Sequence, residues 1–455
     1  MMDDKRIHLM KNEKVSKAVN ALAAPAIIGM LVMAIYNVVD SMFVSWIGDN
    51  EIAATQVVLP IMLIASSIGL AFGIGGGSYI SRLLGRNDKN EANKVASVSF
   101  FTGLILGVIV TAINLIFLEP ILNFFGADNN TLELAKEYGY FIIIGYAFTI
   151  LNMVMNNVLR SEGSAKHSMI GMAIGSILNI ILDPIFIFVF DWGIEGAAIA
   201  TTLSQIVSCL ILLSAFLKKK SILSISPKLF SPSISIYIEI LKVGIPTFFR
   251  QLLVSISIGF LNVEAGKAGG TELVSAIGVI TRTTMIPMYI VFGFGQGFQP
   301  VAGYNFGANN KERVMDSFKY AMKVSIIVMF VSMAIYLGFS NLIFKIFRSS
   351  EIVTEYGVKG IRYYAIALLF LGISNTIAVF YQAIGKGIEA LILSVSRQGL
   401  FFIPLILLLP KTYGVDGVLI SQLLADSLTA ILSISLFITF IKAKKLDLLM
   451  NRRYV

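Results

Sequence analysis

Two stretches decide how this chain folds: AFGIGGGSYISRLLGRNDKNEA at residues 71–92 and GFGQGFQPVAGYNFGANNKERV at residues 293–314. At an offset of 222, Phe72, Gly73, Gly75, Gly85, Asn87 and Lys89 meet Phe294, Gly295, Gly297, Gly307, Asn309 and Lys311. The same offset sets Gly163 of RSEGSAK on Gly385 of QAIGKG. One residue less pairs Pro25 with Pro246, Glu51 with Glu272, and WGIEG (192–196) with YGVDG (413–417). Agreement along a whole half reads as an internal repeat, with the halves 1–217 and 234–455 joined by a linker at 218–233.

Around these landmarks the chain is apolar. Its 455 residues are 56% hydrophobic and 14% charged, with a mean hydropathy of +0.81. Soluble domains carry about 25% charged residues, so the composition is that of an integral membrane protein. Apolar runs fall near 18–47, 52–82, 95–119, 133–160, 167–190 and 194–217, then near 234–264, 271–304, 314–344, 356–384, 388–410 and 415–441. Each can cross a hydrocarbon core of about 30 Å as a helix. The expected fold is all-α, with twelve transmembrane helices in two six-helix lobes. An even number of spans per half makes the repeats parallel, related by a pseudo-two-fold axis along the membrane normal. The mixed-charge N-terminus MMDDKRIHLMKNEKVSKAV has no cleavable secretory signal pattern, and the first apolar run is expected to be retained.

Lys and Arg alternate by side. They crowd the N-terminus (Lys5, Arg6, Lys11, Lys14, Lys17) and the loops around Arg86, Lys166, Lys219 and Lys311. They recur in the tail at Lys442, Lys444, Lys445, Arg452 and Arg453. The loops around Asp49, Asp128 and Asp191 have almost none, while Lys345, Arg348 and Lys359 are the exception. The bias predicts a multi-pass plasma-membrane protein with both termini cytoplasmic. It also accounts for the net charge of +9 without a nucleic-acid partner. The lone Cys209 forms no internal disulfide, and His8 and His167 lie peripherally, so no metal cluster or nucleophile–base set is expected and the chain does not read as an enzyme. The glycines at 73, 75, 76 and 77 sit inside an apolar span without a preceding strand or a Gly-Lys-Ser, so they read as close helix packing, not a phosphate loop.

Few acids lie inside spans. In YNVVDSMFV (36–44), Asp40 follows Tyr36 and Asn37 at i−4 and i−3, on one helix face. A charge at a span centre costs about 2.5–3.5 kcal/mol on insertion scales, so such an acid is a functional candidate. In SILNIILDPIFIF, Asn179 precedes Asp183 by four residues, and Pro184 is expected to loosen the helix beside the acid. Thr201 and Thr202 add hydroxyls. The repeat mates of Asp40 are Leu261 or Asn262, and those of Asp183 are Pro404 or Leu405, so the acids belong to one half only. Such a pair can hold a proton or Na⁺. In the second half, Arg250, Gln251, Gln296 and Gln299, with Tyr36 from the first, are candidates for a substrate cleft. Arg282 and Arg397 are further cationic candidates, and Asp426 is expected to pair with Arg397.

YNVVDSMFVSWIG, VLRSEGSAKHSM, LNIILDPIFIF, GIEGAAIAT and FGFGQGFQPVAGYNFGA together resemble the multidrug and toxic compound extrusion (MATE) transporters, over nearly the whole chain. The resemblance implies two lobes around a central cleft, and export of drugs or toxins in exchange for H⁺ or Na⁺, with no other cofactor. It maps the family's N-lobe cation site onto Asp40, Asn179, Asp183 and Thr201. A span-four tyrosine completes that pattern; both Tyr138 and Tyr140 fit, with Tyr140 taken first, and Asn37 joins the set from its position beside Asp40. One family branch also has an acid in span ten, but GIRYYAIALLFLGISNTIAVFYQ has none, so coupling is expected through the N-lobe. The expected transporter is a monomer whose partners are small-molecule drugs or toxins and the lipid bilayer. The competing reading is a lipid-linked oligosaccharide flippase of related architecture, for which Arg250 and Arg282 are the support.

Overall fold

The structure, a computed structural model, describes residues 2–129, 131–347 and 350–451; Arg348, Arg452 and Arg453 lie outside the described residues. A backbone in hydrocarbon must satisfy its own hydrogen bonds, and among the described residues this chain does so entirely with helices. They are α1 (Met2–Lys11), α2 (Val15–Ser45), α3 (Asp49–Gly85), α4 (Lys89–Ile116), α5 (Leu118–Phe124), α6 (Leu132–Ile144) and α7 (Tyr146–Ser161). After them come α8 (Ala165–Pro184), α9 (Gly193–Leu217), α10 (Ile234–Gly307), α11 (Lys311–Ile346), α12 (Glu351–Ala383), α13 (Gly387–Val395) and α14 (Ile403–Asn451).

Twelve crossings emerge once the breaks are read. Among the described residues nine helical stretches are each long and apolar enough to span a bilayer, and α6 with α7, bent by 45°, makes a tenth crossing. The 74-residue α10 would be about 110 Å long if straight, far beyond one crossing. It breaks at Gly269 and Gly270, where φ of +66° at Gly270 is a conformation that only glycine adopts easily. Gly414, at φ +52°, divides α14 in the same way. The expected short loops at 265–271 and 411–414 are therefore tight glycine breaks in long helices. The repeat shows in the backbone too. Asn87 and Asn309 are both left-handed (φ +61° and +56°), as are Gly163 and Gly385 (+86° and +75°).

The chain packs as two compact units. One comprises Met1–Leu252, Gln296–Ser317 and Ala383–Gly385, and the other Leu253–Gly295, Phe318–Gln382 and Lys386–Val455. In the second unit, Ala265, Leu273, Phe402, Ile406 and Leu419 form one core, and Ile280, Met329, Phe344 and Ile361 another.

In the first unit the glycine run does what packing requires. Gly69, Gly73 and Gly77, spaced four apart, form a stripe of α3 on which α7 lies. A Cβ at Gly69 would stand 2.9 Å from Met153 Cβ, one at Gly73 2.7 Å from the Met153 carbonyl, and one at Gly77 3.1 Å from the Asn157 carbonyl. Backbones this close exclude any larger residue. Near the end of α3, Gly85 abuts the Tyr304 carbonyl while Gly307 abuts the Arg82 carbonyl. Those four residues are two pairs of repeat mates, so the crossing is reciprocal, as a local two-fold relation demands.

The linker is pinned. Glu162, wholly buried after α7, accepts hydrogen bonds from Ser221 Oγ (2.7 Å), Ile222 N (2.8 Å), Leu223 N (3.1 Å) and Ser164 Oγ (2.5 Å), and pairs with Arg6 of α1 (3.3 Å). Asn93 Oδ1 accepts from Ser224 N, and Ser97 Oγ accepts from Ser226 N. Arg313 in turn donates to the carbonyls of Met10 and Glu13, so α1 is fixed at both ends.

Two outcomes follow for the purified protein in detergent. Gly73→Ala overpacks the α3–α7 contact and costs about 1–3 kcal/mol, lowering the thermal midpoint; Gly278→Ala, whose added methyl meets open space, leaves it unchanged or slightly raised. Glu162→Ala orphans buried donors at a cost of about 3–5 kcal/mol and exposes the segment around Lys218–Lys220 to trypsin, which limited proteolysis followed by mass spectrometry reads directly.

Candidate functional site

Three crossings of the first unit bring their polar groups to one place. α2 supplies Tyr36 and Asp40, one turn apart. α8 supplies Asn179 and Asp183, both buried, and α9 supplies Thr201. Asn179 Nδ2 donates to Asp183 Oδ1 (3.0 Å) and to Thr201 Oγ1 (3.2 Å), so one amide ties α8 to α9 and steadies the acid. The Tyr36 hydroxyl reaches Thr201. The carboxyls of Asp40 and Asp183 face each other closely enough to interact directly.

That proximity sets the chemistry. Two carboxylates side by side in apolar surroundings repel and cannot both stay ionised and unpaired. Either they share a proton, or a cation stands against them. Three oxygens remain without a protein hydrogen-bond partner, namely Asp40 Oδ1, Asp183 Oδ2 and Asn179 Oδ1, so the cluster has acceptor capacity for a cation. The residues present fit Na⁺ as well as H⁺ by donor type, since Na⁺ takes oxygen ligands.

Pro184 acts as its chemistry dictates. It lacks the N–H that would continue the ladder, and Ile185–Val189 form a π-helical turn directly after it. Gly196 of α9 lies against the Phe186 backbone there, which leaves no room for a side chain.

The comparisons with known proteins follow this geometry. The family description MatE matches the chain twice, at residues 25–185 and 246–408, one match in each half of the repeat. The chain belongs to the MATE family. It is 32% identical to the multidrug export protein MepA of Staphylococcus saprophyticus over 431 residues, 94% of this chain and 95% of that protein, and equally so to MepA of Staphylococcus aureus. Among solved structures it resembles an outward-facing multidrug resistance MATE family transporter of the MOP superfamily, with a TM-score of 0.92, 31% identity, and coverage of 97% and 99% of the two chains. A MOP superfamily transporter from Pyrococcus furiosus, described as having a binding pocket of reversed polarity, matches with a TM-score of 0.91 at 31% identity over the same shares.

Within this MATE chain the candidate residues distribute as follows. Asp40, Asn179, Asp183 and Thr201 meet, and Tyr36, expected at a cleft, joins them. Asn37 does not: it is exposed, and its backbone carbonyl accepts from Ser41. Of the two span-four tyrosines, Tyr138 is buried and within electrostatic reach of Asp40, Tyr36 and Asp183, whereas Tyr140 is 48% exposed and packs edge-on against Phe141. The order in which they were taken is therefore reversed. The signal was present, because Ala135, Tyr138 and Ile142 form the buried stripe of α6 at i, i+3 and i+7. Thr202 turns away and donates to the Phe141 carbonyl (2.8 Å).

Gln296 and Gln299 line a small cavity with Asn157 and Arg160, apart from Arg250 and Gln251, which are half-buried. Arg282 is exposed. Arg397 pairs with Asp426 through Nε (2.6 Å) and Nη2 (3.3 Å).

A carboxyl pair holding a proton in apolar surroundings reacts with dicyclohexylcarbodiimide. The expected adduct falls on the peptides carrying Asp40 or Asp183, and is lost in the Asp40→Asn/Asp183→Asn double variant, as peptide mass spectrometry will record.

Proposed function

We propose that this protein exports amphipathic, often cationic, small molecules across a bacterial plasma membrane in exchange for a cation, by alternating access of the two halves joined at 218–233. Two lines support export. The chain belongs to the MATE family, and its relatives in Staphylococcus are multidrug export proteins. The coupling proposal rests on one observation: Asp40 and Asp183, on different helices of the first unit, have their carboxyls side by side, close enough to interact directly.

Of the two coupling ions we take the proton, because two adjacent carboxyls in apolar surroundings can share one; Na⁺ is the alternative that the transport test separates. We take the cycle to run as follows. With the pair open to the outer side it takes up a proton; transition to the inner side exposes it to a solution of lower acidity, and the proton leaves. The pair, ionised, then attracts cationic cargo, and the next proton releases it. Asn179 and Thr201 hold Asp183 in place throughout, and Tyr36 and Tyr138 wall the pair off from water. The protein is taken to work as a monomer with both termini cytoplasmic.

The test is transport by purified protein in liposomes loaded with a fluorescent cationic dye. An imposed pH gradient drives dye movement, and a sodium gradient at equal pH on both sides does not. Asp40→Asn and Asp183→Asn each reduce gradient-driven movement at least tenfold while the thermal midpoint stays near that of the unmodified protein. Full gradient-driven movement by both single variants would refute coupling through this pair.

A further inference from the structure

Arg160, the last residue but one of α7, is 7% exposed, and a guanidinium that deep carries a cost unless something negative meets it. Among the described residues nothing negative does. Its one hydrogen bond runs from Nη2 to the neutral Asn157 Oδ1 (2.8 Å). Glu162, two residues on, is engaged elsewhere, by Arg6, Ser164, Ser221 and the linker backbone, and Glu239 by Arg82 (3.0 Å) and Lys242 (2.5 Å).

Arg160 instead faces a cavity of about 20 Å³ lined also by Gly77, Ser81, Asn157, Gln296 and Gln299. A second observation points to a ligand there. Gln299 Nε2 is buried without an acceptor, and Gln296 Oε1 is buried without a donor. The Ser81 and Ser161 hydroxyls donate to backbone carbonyls (3.0 and 2.7 Å), so the free donors at this cavity are the remaining guanidinium N–H groups and the Gln299 amide.

We propose that this cavity is a site for a small monovalent anion, a halide such as chloride, held by Arg160 and Gln299. Charge selects this occupant. The lining has one full positive charge and no negative one. The space exceeds the least that admits a water-sized particle, about 10–15 Å³, so a single-atom ion has room there. Neutralising Arg160 removes the cost of its burial and gives the Gln299 amide an acceptor, while the Gln296 oxygen, itself an acceptor, turns to water. The site is separate from the Asp40–Asp183 pair and independent of the coupling ion. It sits where α3, α7 and the Gln296–Pro300 turns of α10 come together, so its occupant ties those three elements.

The experiment is the thermal midpoint of the full chain in detergent, in sodium chloride against sodium gluconate at matched ionic strength, together with an anomalous map from crystals grown in sodium bromide. Chloride raises the midpoint in a saturable way, and a bromide peak lies between Arg160 and Gln299. Gln299→Ala weakens the apparent halide affinity about tenfold, the loss of one hydrogen bond to a charged group. Arg160→Gln removes the chloride effect; should that variant fail to fold, Gln299→Ala and the bromide map carry the test alone. Equal midpoints in the two salts overturn the proposal. So does an ordered water in place of bromide, and so does a bromide peak without any chloride-dependent midpoint, which marks an adventitious ion only.

Discussion

Backbone resting on backbone is the constraint from which the first unit is built. Lipid tails are as apolar as leucine, so helices in a bilayer gain little from burying large side chains against each other; they gain from close packing. Along α3 the residues at 69, 73 and 77 have no side chain, and α7 settles into the space. That approach decides which way α7 turns its polar residues, and so puts Asn157 and Arg160 at the α3 surface. The crossing of Gly85 with Gly307 closes the same helix end against its own repeat mate.

The acid pair is expensive, and the structure shows how the cost is contained. Asn179 spends its one amide on two oxygens at once, binding Asp183 and Thr201. The π-helical turn after Pro184 lets α8 close without a full ladder next to the charge. Two carboxyls side by side are relieved of mutual repulsion by a single cation or proton, a lighter burden than two isolated anions would carry. The opposite treatment is given to Arg397 and Asp426, which neutralise each other through two contacts. A fixed ion pair of this kind holds helices, whereas a like-charged pair responds to what binds it.

Much of this was legible in the residues. The repeat offset located the left-handed asparagines at 87 and 309, because a short polar residue after a helix is one of the few that tolerates that conformation. The acids stood out against an apolar background, and their absence from the second half separated site from scaffold. What the sequence could not supply was the third dimension of a helix surface. Asn37 and Tyr36 both lie one turn before Asp40, and spacing alone does not say which of them the neighbouring helices cover. Tyr138 against Tyr140 was decidable only from the stripe that includes Ala135 and Ile142. The apolar runs placed boundaries near 270 and 414, but not that glycine alone makes each turn without the loop that normally marks a boundary.

The pinned linker has a mechanical meaning. Lys218 to Ser233 spans enough residues to act as a slack tether, extending about 3.3–3.6 Å for each. In fact Ser221 to Ser226 are sewn to Glu162, Asn93 and Ser97, Pro227–Leu229 form a turn, and Phe230 rests on Phe101 (5.5 Å between ring centroids). Very little free length remains before α10 begins. The start of that helix is clamped in turn, Tyr237 bonding Thr102 of α4 and Glu239 pairing with Arg82 of α3, so a pull on the linker is delivered to those two helices without slack.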